Sequence, residues 1–117
     1  MYYIYMLRCE DESIYTGITV DIQRRMQEHF QKNKKCAKYT FRHSAKKLEC
    51  VWNTDTRVNA SKLEYAIKKL KKTQKEELIL MQDLSKILGI EKENYELETE
   101  YQKCFKNNAN SSIMNKE

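Results

Sequence analysis

IYTGITVDIQRRMQEH, residues 14–29, passes from one kind of local structure to another, and its reading decides the fold. Ile14 to Thr19 is rich in β-branched and aromatic residues, as a short strand is, and the strand runs through Gly17. From Asp21 the pattern changes. Thr19 or Asp21 supplies a side-chain oxygen to cap a helix, and Ile22, Met26 and Phe30 recur every four residues to give that helix an apolar stripe. Arg24, Arg25, Glu28 and His29 lie around the rest of it, with Arg25 and His29 four apart and therefore on one side. The junction sets a tyrosine-bearing strand beside an arginine-bearing helix.

Outward from this stretch, YYIYMLRC (2–9) is a second run of β-favouring residues, and EDES supplies the turn, so residues 2–19 read as a β-hairpin. Residues 31–45 read as a basic loop. KLECVWN (47–53) is a third strand, with Leu48, Cys50 and Trp52 expected on one face. NASKLEYAIKKLKK is a helix opened by Asn59 or Ser61, with Leu63, Ala66, Ile67 and Leu70 inward and Glu64 as its lone acidic residue. TQKEELILMQDLSKILG (73–89) is expected as one helix, from a Thr73/Glu76 capping box to Gly89. A weaker helix is expected over 91–105, and the remainder is polar, with the composition of a disordered tail. The order is β-β-α-β-α-α: an α/β fold of the α+β kind, a small three-stranded antiparallel sheet flanked by helices. The expected division is one domain over 1–89 and an acidic, partly helical extension over 90–117.

At 117 residues the chain suits one domain with a real core. It contains no run of about 18 apolar residues of the kind that spans a membrane, and MYYIYMLRCEDES lacks the basic start and apolar run of a signal peptide, so a cytoplasmic location without membrane contact is expected. Cys9, Cys36, Cys50 and Cys104 are scattered without a CxxC pair, which points to reduced thiols rather than a zinc or redox site. The net charge of +5 is unevenly spread: residues 1–75 hold 17 Lys+Arg against 8 Asp+Glu, and residues 76–117 hold 5 against 9. Residues 22–47 alone carry nine basic residues and one acidic, with Phe30, Tyr39 and Phe41 interleaved. Such a stretch attracts a phosphate backbone through counterion release and stacking, and is otherwise a solvated surface.

YIYMLRCEDESIYTGITVDIQRRMQEH, followed by AKYT and then NASKLEYAIKKLKKTQKEEL, resembles the GIY-YIG nuclease superfamily, in particular its small stand-alone bacterial members related to the UvrC N-terminal domain. The resemblance covers roughly residues 2–80 and rests on several motifs in order. Tyr3-Ile4-Tyr5 and Tyr15-Thr16-Gly17 correspond to the name-giving elements; Tyr3 stands where the pattern has its first Gly, and Thr16 where it has an Ile.

The resemblance implies a metal-dependent endonuclease that hydrolyses DNA phosphodiester bonds, structure- or end-selective, acting in DNA repair or processing. It implies a catalytic set of Tyr5, Tyr15, Arg25, His29 and Glu64, with Glu64 holding one Mg²⁺ or Mn²⁺ and Gly17 permitting a tight approach after the second strand. Hydrolysis needs a deprotonated water, neutralisation of the developing oxyanion and help for the departing oxygen. Tyr5, Tyr15 or His29 is the candidate base, and Arg25 can hold the phosphate with its planar fork. Arg24, Lys34, Lys35, Lys38, Tyr39, Arg42 and Lys68 are the candidate contacts to DNA, with RNA as the alternative partner. Taken singly these residues read more plainly: Tyr5 and Tyr15 as strand aromatics, Arg25 as a surface charge, Glu64 as the i,i+4 partner of Lys68. The alternative function is a non-catalytic nucleic-acid-binding module on the same fold, and a third is a protein-interaction domain. No oligomeric state and no substrate sequence can be read from the residues.

Overall fold

A computed structural model describes residues 1–31 and 37–101. The chain runs β1 (Tyr2–Cys9), β2 (Ile14–Thr19), α1 (Ile22–Phe30), α2 (Lys38–Arg42), β3 (Ala45–Thr54), α3 (Arg57–Lys68), α4 (Lys72–Met81), α5 (Leu84–Leu88), a 3₁₀ turn (Lys92–Asn94) and β4 (Glu96–Glu98). The strands form one antiparallel sheet in the order β2-β1-β3-β4. The expected hairpin forms, with Tyr5 opposite Gly17 and Leu7 opposite Tyr15. Its turn is closed by Cys9 and Ser13, and Asp11 accepts hydrogen bonds from the Ser13 N–H and hydroxyl.

Alternation along β1 sends its side chains into two cores. Ile4 and Met6 join Ile14, Cys50 and Trp52 under Ala60, Leu63 and Ile67 of α3, Leu78 of α4 and Leu84 of α5. Tyr5 and Leu7 pack on the other face with Ile22 and Met26 of α1, Ala45, Leu48 and Val51. Asp21 caps α1, accepting from the Arg24 N–H at 3.1 Å, and Thr56 caps α3, accepting from the Asn59 N–H. The latter helix therefore starts before Asn59 and Ser61, its expected caps.

Several expectations need correction. The sheet has four strands, not three. YELE (95–98) alternates strictly, so Tyr95 and Leu97 pack on the larger core while Glu96 and Glu98 alternate with them; a 3₁₀ turn and β4 stand at the start of the expected 91–105 helix. Glu98 accepts a hydrogen bond from the Asn53 side chain, and the Thr54 hydroxyl donates to the Asn94 carbonyl at 2.8 Å. Residues 102–117, including the expected tail and Cys104, lie outside the described residues. The single helix over 73–89 is two, because Gln82 adopts left-handed φ 55° and Asp83 starts a new cap over Ser85 and Lys86. Its N-terminus is at Lys72 rather than Thr73, with the Gln74 side chain accepting from the Lys71 N–H. Leu48 does not share a face with Cys50 and Trp52: the β1–β3 register shifts between Met6 and Leu7, Glu49 is the extra residue, and Leu48 turns to the opposite core. Within the expected basic loop, residues 38–42 form α2.

Candidate active site

The site is built where Tyr5 crosses edge strand β2. A Cβ placed on Gly17 would stand 2.5 Å from the Tyr5 hydroxyl oxygen and 2.7 Å from its Cζ, so the absent side chain is what lets the ring lie there. Tyr5 is 1% exposed, and its hydroxyl is 2.8 Å from His29 Nε2. On the far side of the imidazole, Nδ1 is 2.7 Å from Thr40 Oγ1, and the Thr40 hydroxyl donates to the Ala37 carbonyl at 3.1 Å.

These bonds assign the protons. The one hydroxyl proton of Thr40 is committed to Ala37, so Oγ1 accepts from His29 Nδ1–H; Nε2 then carries a lone pair and accepts from Tyr5 O–H. Burial, reinforced by the Arg25 charge, lowers the His29 pKa to about 4, which keeps the ring neutral with its Nε2 lone pair turned to Tyr5. Burial chiefly, with Tyr15 adding to it, raises the Tyr5 phenol above its ordinary value, while the adjacent Arg25 guanidinium pulls the other way.

Arg25 enters from α1. Its Nη1 is 2.8 Å from Glu28 Oε1, an i,i+3 pair whose carboxylate is only 9% exposed, and it also hydrogen-bonds Tyr5. Tyr15 completes the aromatic wall: its ring centroid is 5.4 Å from His29 and 5.6 Å from Tyr39, which stacks on His43 at 4.3 Å. Glu64 comes from α3 on the opposite face of the sheet. Its Oε2 lies 3.2 Å from Lys68 Nζ, and its charge is among those that raise the Tyr5 pKa.

Tyr5, Tyr15, Arg25 and His29 are thus brought into one constellation, with Glu64 within electrostatic reach and Tyr39 extending the aromatic wall. Tyr3 lies on the same face but packs edge-to-face on Tyr101, Ile4 is in the opposite core, and Thr16 faces that core too. Arg24, Lys38, Arg42 and Lys68 are exposed; Lys34, Lys35 and Cys36 lie outside the described residues. Cys9 and Cys50 are buried free thiols, as expected of structural cysteines. Sequence reasoning missed the parts played by Thr40 and Glu28. The i,i+3 spacing from Arg25 was a legible signal for Glu28, whereas nothing local marks Thr40 as the partner of a histidine eleven positions earlier.

Among the described residues no group of three or more His, Cys, Asp or Glu side chains could enclose a metal ion. The single carboxylate of Glu64 fits one hard cation that takes its remaining ligands from water and a substrate phosphate, as Mg²⁺ commonly does. No helix among the described residues is long and apolar enough to cross a membrane.

Comparison with known proteins shows the family. Residues 1–77 match the family model described as the GIY-YIG catalytic domain. A UPF0213 protein of Fusobacterium nucleatum is 49% identical over 82 residues, 70% of this chain and 80% of that one. Another, from Clostridium perfringens, is 39% identical over 99 residues, 84% of this chain and 97% of that one. The solution NMR structure of a UPF0213 protein from Bacillus halodurans is similar at 32% identity and a TM-score of 0.47, covering 70% of this chain and 86% of that one. The chain belongs to the GIY-YIG family and is similar to its small UPF0213 proteins.

Proposed function

We propose that the protein is a metal-assisted endonuclease that hydrolyses DNA phosphodiester bonds, selecting structure or ends rather than a long sequence, in DNA repair or processing. The observation that carries this reading is the hydrogen-bonded chain Tyr5–His29–Thr40–Ala37 beside Arg25. A purely structural tyrosine needs one partner for its hydroxyl. Here the phenol donates to a neutral imidazole that Thr40 holds in place from its far side, so a proton leaving Tyr5 has somewhere to go. Tyr5 takes a proton from the attacking water as it passes its own to His29 Nε2, and Thr40 keeps the imidazole in the tautomer that can receive it. Arg25 sits against the same hydroxyl and neutralises charge developing on the phosphate. Glu64 would hold one Mg²⁺ or Mn²⁺, which supplies Lewis-acid stabilisation on the leaving side.

The test is cleavage of flapped, branched, single-stranded and duplex DNA with and without Mg²⁺ or Mn²⁺, in the native protein and in Glu64→Gln. Turnover of at least one substrate that needs the metal and vanishes in Glu64→Gln, with DNA binding retained, supports the nuclease. The Glu64–Lys68 pair favours a second reading, a binding module whose carboxylate only anchors a lysine. Metal-independent binding without turnover on any substrate would establish that reading in place of the first.

A further inference from the structure

Beside the Tyr5 constellation lies a recess of about 340 Å³, where the end of β2 meets the starts of α1 and α3. Tyr2 and Ile18 contribute to its walls, and Arg24, Arg25 and Arg57 line it with Glu28 as the one carboxylate. That carboxylate is already engaged by Arg25 at 2.8 Å. Arg24 and Arg57 are exposed, and among the described residues neither guanidinium makes an ion pair or a side-chain hydrogen bond. Arg8, by contrast, is held by Glu49 and Glu76, which leaves its fork no room for a ligand. Two arginines left with open forks on a recess shared with a third have the chemistry of an oxyanion site.

We propose that this recess is a second phosphate subsite, in which Arg57 and Arg24 hold the backbone phosphate next to the one at Arg25. The inference rests on the nuclease reading and adds to it a place where the strand is held: a second phosphate, one sugar away from the reacting one, at Arg57 and Arg24. Arg57 is a binding residue here, contacting a phosphate that does not react. Its position at the start of α3 gives that helix a role at both phosphates, through Arg57 and through Glu64. The recess is contiguous with Arg25, and its apolar contributors, Tyr2 and Ile18, offer a surface for the intervening sugar.

The test compares binding of a short fluorescein-labelled single strand, in chelator to prevent cleavage, by the native protein, Arg57→Gln, Arg57→Lys and Lys86→Gln across a salt series. Lys86→Gln removes the same charge from an exposed side chain on α5, which does not line the recess. Arg57→Gln is expected to weaken binding several-fold and to reduce the slope of log affinity against log salt by about one. Arg57→Lys recovers part of the affinity, and Lys86→Gln changes little. Unchanged melting temperatures would show that the fold is intact. Equal loss in Arg57→Gln and Lys86→Gln overturns the subsite, since net charge alone then explains the effect, and so does full affinity in Arg57→Gln. Displacement of the strand from the native protein by polyglutamate as readily as by unlabelled strand assigns the recess to acidic protein and also overturns it. If the native protein shows no salt-dependent binding at all, the nuclease reading falls together with the subsite; native binding that is insensitive to Arg57 removes the subsite alone.

Discussion

Strand β1 carries Tyr5 and Arg8 three residues apart, which sends them to opposite faces of the sheet, and the two faces solve the burial of polar groups differently. Arg8 is saturated with charge: Nε is 2.6 Å from Glu49, both terminal nitrogens engage Glu76 at 2.8 and 2.5 Å, and Lys47 and Lys72 close the carboxylates from outside. The Arg8 guanidinium is spent inside the protein, tying the hairpin to β3 and α4. On the Tyr5 face the satisfied groups are neutral, and Arg25 shares its fork between one carboxylate and a phenol. A closed charge cluster holds a fold together, while a neutral chain ending in a tyrosine beside an arginine leaves an electrostatic demand that a phosphate can meet.

The sharpest way to break this comparison is to truncate each arginine and measure both melting and cleavage. Arg8→Ala leaves Glu49, 10% exposed, without its main partner and should cost about 2–3 kcal/mol, below the range for a fully buried pair because Glu76 remains 38% exposed. Any cleavage activity at a temperature where the variant is folded should survive. Arg25→Ala strands the Glu28 carboxylate, itself only 9% exposed, and should cost a comparable amount, about 2 kcal/mol, yet unlike Arg8→Ala it should also lower cleavage by about 10²–10³-fold through lost transition-state neutralisation. If Arg25→Ala proved the more destabilising and the less damaging to turnover, the two roles would be reversed.

Acid separates the faces by pH. His29 has a folded pKa of about 4 against an ordinary 6.5, so between these values the unfolded chain binds the extra proton and stability falls as pH drops through that window. The loss approaches about 3 kcal/mol by the lower end. Glu76, held down to about 2 by Arg8, is lowered from 4.5, so its contribution is present above 4.5 and fades only as pH falls from there toward 2. Chemical denaturation at successive pH values should therefore show a first decline between 6.5 and 4 that His29→Gln abolishes, and a later, smaller one that Glu76→Gln abolishes. A His29→Gln profile identical in shape to the native one would mean that the imidazole is not held neutral.

The residues of the Tyr5 constellation were named by the resemblance, and local pattern accounts for how they come near one another. Strand alternation puts Tyr5, Tyr15 and Gly17 on one face, and helix spacing puts Arg25 and His29 on one side. The same reasoning failed at Leu48 because strict alternation cannot foresee a bulge, and at 73–89 because a continuous apolar pattern hides the left-handed turn at Gln82. β4 was mistaken for helix although YELE alternates, since its Glu-rich neighbourhood favours helix and only the free edge of β3 selects strand. Thr40 and Arg57 escaped notice for a different reason: each matters through a neighbour brought to it by tertiary folding, a histidine in one case and a recess in the other.

The smallest expected effect is at one of two buried threonines. Thr40 Oγ1 is at 0% residue exposure and serves His29 and Ala37, so Thr40→Val strands the Nδ1–H and should cost about 1–3 kcal/mol while disturbing the tautomer that Tyr5 needs. Thr16 is 3% exposed, and its Oγ1 is buried with no hydrogen-bond partner among the described residues. It pairs with Met6 and so faces the apolar core beneath α3, between Tyr15 and Gly17, which face the site. Here the same substitution removes an unsatisfied hydroxyl and returns a methyl of nearly the same shape. Thr16→Val should leave stability unchanged or raise it by up to about 1 kcal/mol, with no change in DNA affinity or cleavage. Opposite signs for one chemical change, read as melting temperatures of the two variants, would show that the hydroxyl on the site face is there for the histidine. Destabilisation by Thr16→Val as large as that by Thr40→Val would instead mean that Thr16 has a polar partner of its own and that the two faces are more alike than their hydrogen bonds suggest.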